Sequence, residues 1–130
     1  MKRQLKVLFY EPQRLKRLSP NRVISEMATK DVAKLSAVIT AVRSSPIGSF
    51  SGGGYWEAMH GAMSGIHEIR ITGQRPWLFR FFCLVNREQS QIVVFAAAKK
   101  RRGELISAAD YDLVLDLAEE ARRETSRPSE

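Results

Sequence analysis

The residues best able to do chemistry are Glu68, Arg70, Arg80 and the run Lys99, Lys100, Arg101, Arg102. Each interrupts a segment that otherwise reads as buried β-structure: Gly65 to Arg70 (Gly, Ile, His, Glu, Ile, Arg), the aromatic stretch Trp77 to Val85, and the apolar run that begins at Gln91. A rigid sheet that presents guanidinium and ammonium groups is suited to phosphate, because guanidinium grips two oxygens in a planar fork and ammonium acts as a point charge. Metal chemistry finds little support. Cys83 is the only cysteine, so there is no internal disulfide and no thiolate metal site, and its neighbours Phe81, Phe82, Leu84 and Val85 make it a packed thiol.

Charge points the same way. The 130 residues carry a net charge of +7, but residues 1–103 hold eighteen Lys and Arg against six acids, whereas residues 104–130 hold eight acids against three Arg. A basic body with an acidic tail fits a polyanionic ligand, and the tail either orients that ligand or competes with it. The length fits one domain, 1–130, with a real core. No stretch of eighteen apolar residues exists to span a membrane, and the start Met1, Lys2, Arg3 runs into a strand-like segment in place of an apolar signal core. The expectation is a cytoplasmic protein.

The elements that must hold the cations follow from local pattern. Leu5 to Tyr10 has strand composition and is closed by Pro12. Arg14, Lys16, Arg17 and Arg22 crowd the connection, and Ser19 with Pro20 starts a helix. Thr29 with Asp31 marks a second start, after which Leu35, Val38, Ile39 and Val42 recur at helical spacing. The spacing predicts two helices, or one kinked near Thr29, packed on a sheet. Residues 44–54 are glycine-rich and read as a flexible connection, lacking the lysine and hydroxyl of a P-loop. Tyr55, Trp56 and Met59 read as one turn tucked under the sheet.

Three strands follow, Ile66 to Thr72, Trp77 to Val85 and Gln91 to Ala98, joined by short polar turns as an antiparallel meander. Ser107 to Asp110 has the form of a capping box, and a C-terminal helix runs to about Glu124, with a disordered tail beyond. Alternation puts Glu68 and Arg70 on one face and His67, Ile69 and Ile71 on the other. A hairpin centred near Arg75 sets Arg70 opposite Arg80, and a turn near Glu88 brings Ala96, Ala98 and Lys100 to the same side. Two facing arginines repel, so they need Glu68 between them or an external anion, and the small Ala96 and Ala98 leave room for one.

The strand pattern Glu68, Ile69, Arg70, the later Phe79, Arg80, Phe81, and the closing strand that runs into Lys99 and Lys100, in that order and with helices upstream, resemble the HigB-like branch of the RelE/ParE toxin superfamily. The resemblance covers roughly residues 5–120. It implies an α+β fold: a small antiparallel β-sheet with two N-terminal helices packed on one face, a C-terminal helix, and a basic site on the other face. It further implies the toxin of a type II toxin-antitoxin pair, a metal-independent mRNA endonuclease that needs no cofactor and cuts mRNA on the ribosome. The implied partners are that mRNA and a cognate helix-turn-helix (HigA-like) antitoxin, with which it forms an oligomeric assembly, and no membrane is involved. Family members often place a histidine before the Lys pair or a proline between that pair and the last helix, where this chain has Ala96, Ala97, Ala98 and Ser107.

Cutting RNA without metal drives a 2′-OH onto the adjacent phosphate, which requires alignment, stabilisation of phosphorane charge and proton transfer. Under the resemblance Arg70 and Arg80 stabilise charge, Lys100 binds backbone or protonates the leaving oxygen, and Glu68 is the nearest base. Lys99, Arg101, Arg102, Arg14, Lys16 and Arg17 are the candidate RNA-binding cations. Plainer readings stand beside these. Glu68 can simply pair with Arg70 or Arg80, His60 and His67 can be structural, and Lys99 to Arg102 can solvate a strand end. The alternative function is a non-cleaving member, either a ParE-like inhibitor of DNA gyrase or a prophage-derived protein that binds nucleic acid or its antitoxin.

Overall fold

A computed structural model describes residues 5–44 and 55–125, which form one five-stranded sheet with helices on both faces. Strand β1 (Lys6–Phe9) leads through a short 3-10 turn (Lys16–Leu18) to helices α1 (Pro20–Ser25) and α2 (Thr29–Arg43). Then come β2 (Trp56–Ala58), a 3-10 turn (Gly61–Met63), β3 (Ile66–Thr72), β4 (Trp77–Asn86), β5 (Gln91–Arg101) and α3 (Ala108–Thr125). The glycine-rich connection over 45–54 and the tail from 126 lie outside the described residues.

The sheet order is β1-β5-β4-β3-β2. The meander β3-β4-β5 is antiparallel, and β1 pairs in parallel with β5, Lys6 beside Gln91 and Phe9 beside Val94. The sheet is therefore mixed, which corrects the expectation of a purely antiparallel one. The long crossover through α1, α2 and the meander is what allows two strands so far apart in sequence to run the same way. A second correction concerns Trp56, which belongs to an edge strand rather than a turn. Its indole is buried and stacks on the His67 imidazole, 4.6 Å between centroids.

Local chemistry sets the helix starts. The Ser19 hydroxyl accepts from the Arg22 amide at 3.3 Å with Pro20 in the first turn, and the Ser107 hydroxyl accepts from the Asp110 amide at 3.0 Å. Helix α2 begins without a side-chain cap, and its first-turn Asp31 turns inward instead. There the buried carboxylate accepts from the Gln74 amide at 3.0 Å and so holds the β3–β4 turn.

Each face of the sheet has its own core. On the α2 side Val23, Leu35 and Val42 pack with Ile69, Ile71, Phe79, Phe81, Cys83 and Val94. On the other side Val114, Leu117, Ala118 and Ala121 of α3 pack with Ile66, Phe82, Leu84, Val93, Phe95 and Ala96. Each fully buried aliphatic or aromatic side chain contributes about 1.5–3 kcal/mol of burial, so both helices are firmly seated. A bulge opposite Phe82 and Cys83 sends both Phe95 and Ala96 toward α3 and leaves Val94 and Ala97 on the α2 side.

Candidate anion site beside helix α3

The pairing of β3 with β4 brings Arg70 directly opposite Arg80, as alternation and turn position required, and the β4–β5 register continues that row to Ala98. In the neighbouring row lie Glu57, Glu68, Phe82 and Ala96. One row further toward the sheet end, Thr72, Leu78 and Lys100 share this face.

Glu68 ties the two arginines. Its carboxylate is buried, accepts from Arg70 Nε at 2.7 Å and stands 4.0 Å from Arg80 Nε. The two guanidiniums differ in setting. The Arg70 side chain is 49 % exposed, and the hydrogen bond to Glu68 raises its pKa. The Arg80 side chain is only 16 % exposed, and burial followed by the nearby Arg70 charge lowers its pKa against the pull of Glu68. Among the described residues Arg80 makes one hydrogen bond, Nη1 donating to its neighbour Phe79's carbonyl at 3.2 Å. No Arg80 nitrogen is both buried and without a partner, so the donors that Phe79 does not use reach solvent, where an oxyanion is able to replace water.

Tyr111, in the first turn of α3, stands within electrostatic reach of Glu68, Arg80 and Arg70. Its ring meets Phe82 edge-on at 6.3 Å, and burial together with the Glu68 charge raises its phenol pKa, so it stays protonated. Tyr111 is not among the candidate site residues that the sequence pattern singles out. The available signal was its position one turn before Val114 and Leu115, on the face that meets the sheet. The space expected over Ala96 and Ala98 is filled: both are buried in the core that α3 completes. Their small side chains let the helix approach.

The remaining candidates are dispersed. Lys99 projects to the opposite face, over the Trp77 ring at 3.9 Å and 3.7 Å from Glu26, so it is not a neighbour of Lys100. Lys100 Nζ donates to the Glu104 carbonyl at 2.8 Å. Arg101 also lies over Trp77, its guanidinium carbon 5.1 Å from the ring centroid, and the Arg102 amide donates to the Pro76 carbonyl at 2.8 Å. Arg17 pairs with Asp110 at 2.7 Å, and Lys16 donates to the Pro12 carbonyl at 2.6 Å beside Glu11. Arg14 lines a cavity of about 400 Å³ with Asp116, Glu119 and Glu120, an acidic setting. The four basic residues Lys99 to Arg102 are thus strand and rim residues, since β5 runs three residues beyond its expected end at Ala98.

Among the described residues no group of three His, Cys, Asp or Glu could hold a metal ion, and no helix is long and apolar enough to cross a membrane. His67 has a lowered pKa because burial, then Arg87, disfavours its charged form, and its buried Nδ1 has no hydrogen-bond partner. His60 is exposed beside the second 3-10 turn. Compared with known proteins, the chain matches no family model, no curated protein and no solved structure.

Proposed function

We propose that this chain is an RNA-directed toxin of the HigB-like kind, a metal-independent endoribonuclease kept in check by a helix-turn-helix antitoxin. The observation that carries the reading is the Arg70–Arg80 pair, set face to face on a rigid ladder with Arg80 half-buried and Glu68 between the two guanidiniums. The order of strand, helices, meander and final helix supports the RelE-like arrangement as part of the same proposal. A phosphate received by Arg80 and the exposed part of Arg70 would sit beside Glu68. In that position the Glu68 carboxylate takes the 2′-OH proton, the 2′-oxygen–phosphorus bond forms and the phosphorus–5′-oxygen bond breaks, with the leaving oxygen protonated from solvent or from Lys100.

A second reading is favoured by one feature. Glu68 already neutralises Arg70, and Lys99 faces away, so the site also suits a protein that binds nucleic acid without cutting it. One experiment separates the two. Purified protein is mixed with translating ribosomes, and mRNA ends are read by primer extension. Cuts by the wild type that fall about 10²–10³-fold in rate in Arg80→Ala, with an unchanged melting temperature, support the nuclease. Intact mRNA bound by the wild type supports the non-cleaving reading, and gyrase-linked DNA breaks in expressing cells support the ParE-like form of it.

A further inference from the structure

The cations that the Arg70–Arg80 site leaves unused gather at one end of the sheet. Arg75 lies in the β3–β4 turn, and the Arg102 amide bonds to Pro76 of that turn, which joins the turn to the end of β5. Alternation along β5 then puts Lys100 on the α3 face and Lys99 with Arg101 on the α2 face. Against Arg75, Lys99, Lys100, Arg101 and Arg102 stand the carboxylates of Glu26 and Glu104. Neither Arg75 nor Arg102 has an ion pair among the described residues. The rim is organised. Trp77 pairs across the ladder with Arg101, and its half-buried ring carries Lys99 at 3.9 Å and Arg101 at 5.1 Å, holding two long side chains at that end of the sheet.

We propose that this rim is the path by which a single-stranded RNA leaves the Arg70–Arg80 site, its backbone passing Lys100, turning over Arg102 and Arg75, and reaching Lys99 and Arg101 on the opposite face. Trp77 acts as the positioning residue that keeps the last two cations extended. This extension rests on the RNA-directed reading above. A flexible single strand is the ligand that fits, because the cations turn around the end of a sheet within one strand's width, whereas a duplex resists bending over such a distance.

The test is the salt dependence of binding to a fluorescently labelled oligouridylate. Each phosphate contact contributes about 0.7 to the slope of log affinity against log salt for a single strand. The pair Arg101→Ala with Arg102→Ala is expected to lower the slope by about 1.4. Trp77→Leu is expected to weaken binding several-fold while all the cations remain, and a duplex of the same length should bind more weakly than the single strand. Circular dichroism melting checks that the variants fold, and Lys99→Ala is the substitute where Trp77→Leu does not. An unchanged slope in the folded double variant overturns the proposal, as does equal affinity for duplex. A wild type that binds with the expected slope changes but never cuts sinks the nuclease reading alone, and one that cuts while rim variants leave the slope intact sinks the rim alone.

Discussion

Replacing Glu68 by Gln should make the protein less stable and a better anion binder at once. The carboxylate is 3 % exposed and makes a 2.7 Å bond to Arg70 Nε, with Arg80 4.0 Å away on the facing strand. Removing its charge costs a charge-assisted hydrogen bond and leaves two arginines facing each other. For a fully buried pair that costs several kcal/mol, but the Arg70 side chain is half in water, so the net loss is about 1–2 kcal/mol. In a domain of this size that lowers the melting temperature by roughly 3–8 °C. Affinity moves the other way. A phosphate on Arg80 would lie about 5 Å from the carboxylate, where repulsion at an effective dielectric between 40 and 80 amounts to about 1–2 kcal/mol. Without it, RNA should bind roughly 5–30-fold more tightly at low salt. Calorimetric melting and fluorescence anisotropy on the same preparations give both quantities. A variant that loses stability and affinity together, or one whose affinity stays level, would refute the idea that the Glu68 charge opposes a phosphate bound on Arg80.

Gly73→Ala should destabilise the fold by about 2–3 kcal/mol in urea titration, because its Cβ would stand 2.5 Å from a Phe79 ring carbon and 2.8 Å from the Asp31 carboxylate. Stability should decline on acidification below pH 6.5, since half-buried His67 has a lower pKa than in the unfolded chain and the unfolded state takes up the proton first. His67→Phe retains a ring on Trp56 and should remove that component, and a pH profile of chemical denaturation that does not change on substitution contradicts it. Cys83 is fully buried with its thiol pKa pushed up, so iodoacetamide should label it at the rate of unfolding and not before, as mass spectrometry would record.

Much of the meander was legible because a two-residue period and short polar turns leave few registers, and the facing of Arg70 and Arg80 with Ala98 beyond follows from counting around two turns. The starts at Ser19 and Ser107 were equally local. Three features were not. Strand β2 is three residues long and carries almost no periodicity, so Trp56 looked like part of a turn. The parallel pairing of β1 with β5 depends on contacts across most of the chain. The burial of Ala96 and Ala98 depends on where α3 lies, and small residues in a strand look the same whether they receive a ligand or a helix. The split of Lys99 from Lys100 was implicit in alternation, yet a run of like charges in sequence reads as one patch until the pleat is imposed.

The union of β1 with β5 also bears on how the molecule is made. Lys6 meets Gln91, so β1 leaves the ribosome some eighty residues ahead of the strand that pairs with it, and α1 and α2 have no surface to cover until β3, β4 and β5 have assembled. Contacts of such long sequence separation slow folding, and an unpaired apolar strand is prone to associate with other chains in the interval. A chain interrupted before Gln91 has neither a closed sheet nor the rim that follows it.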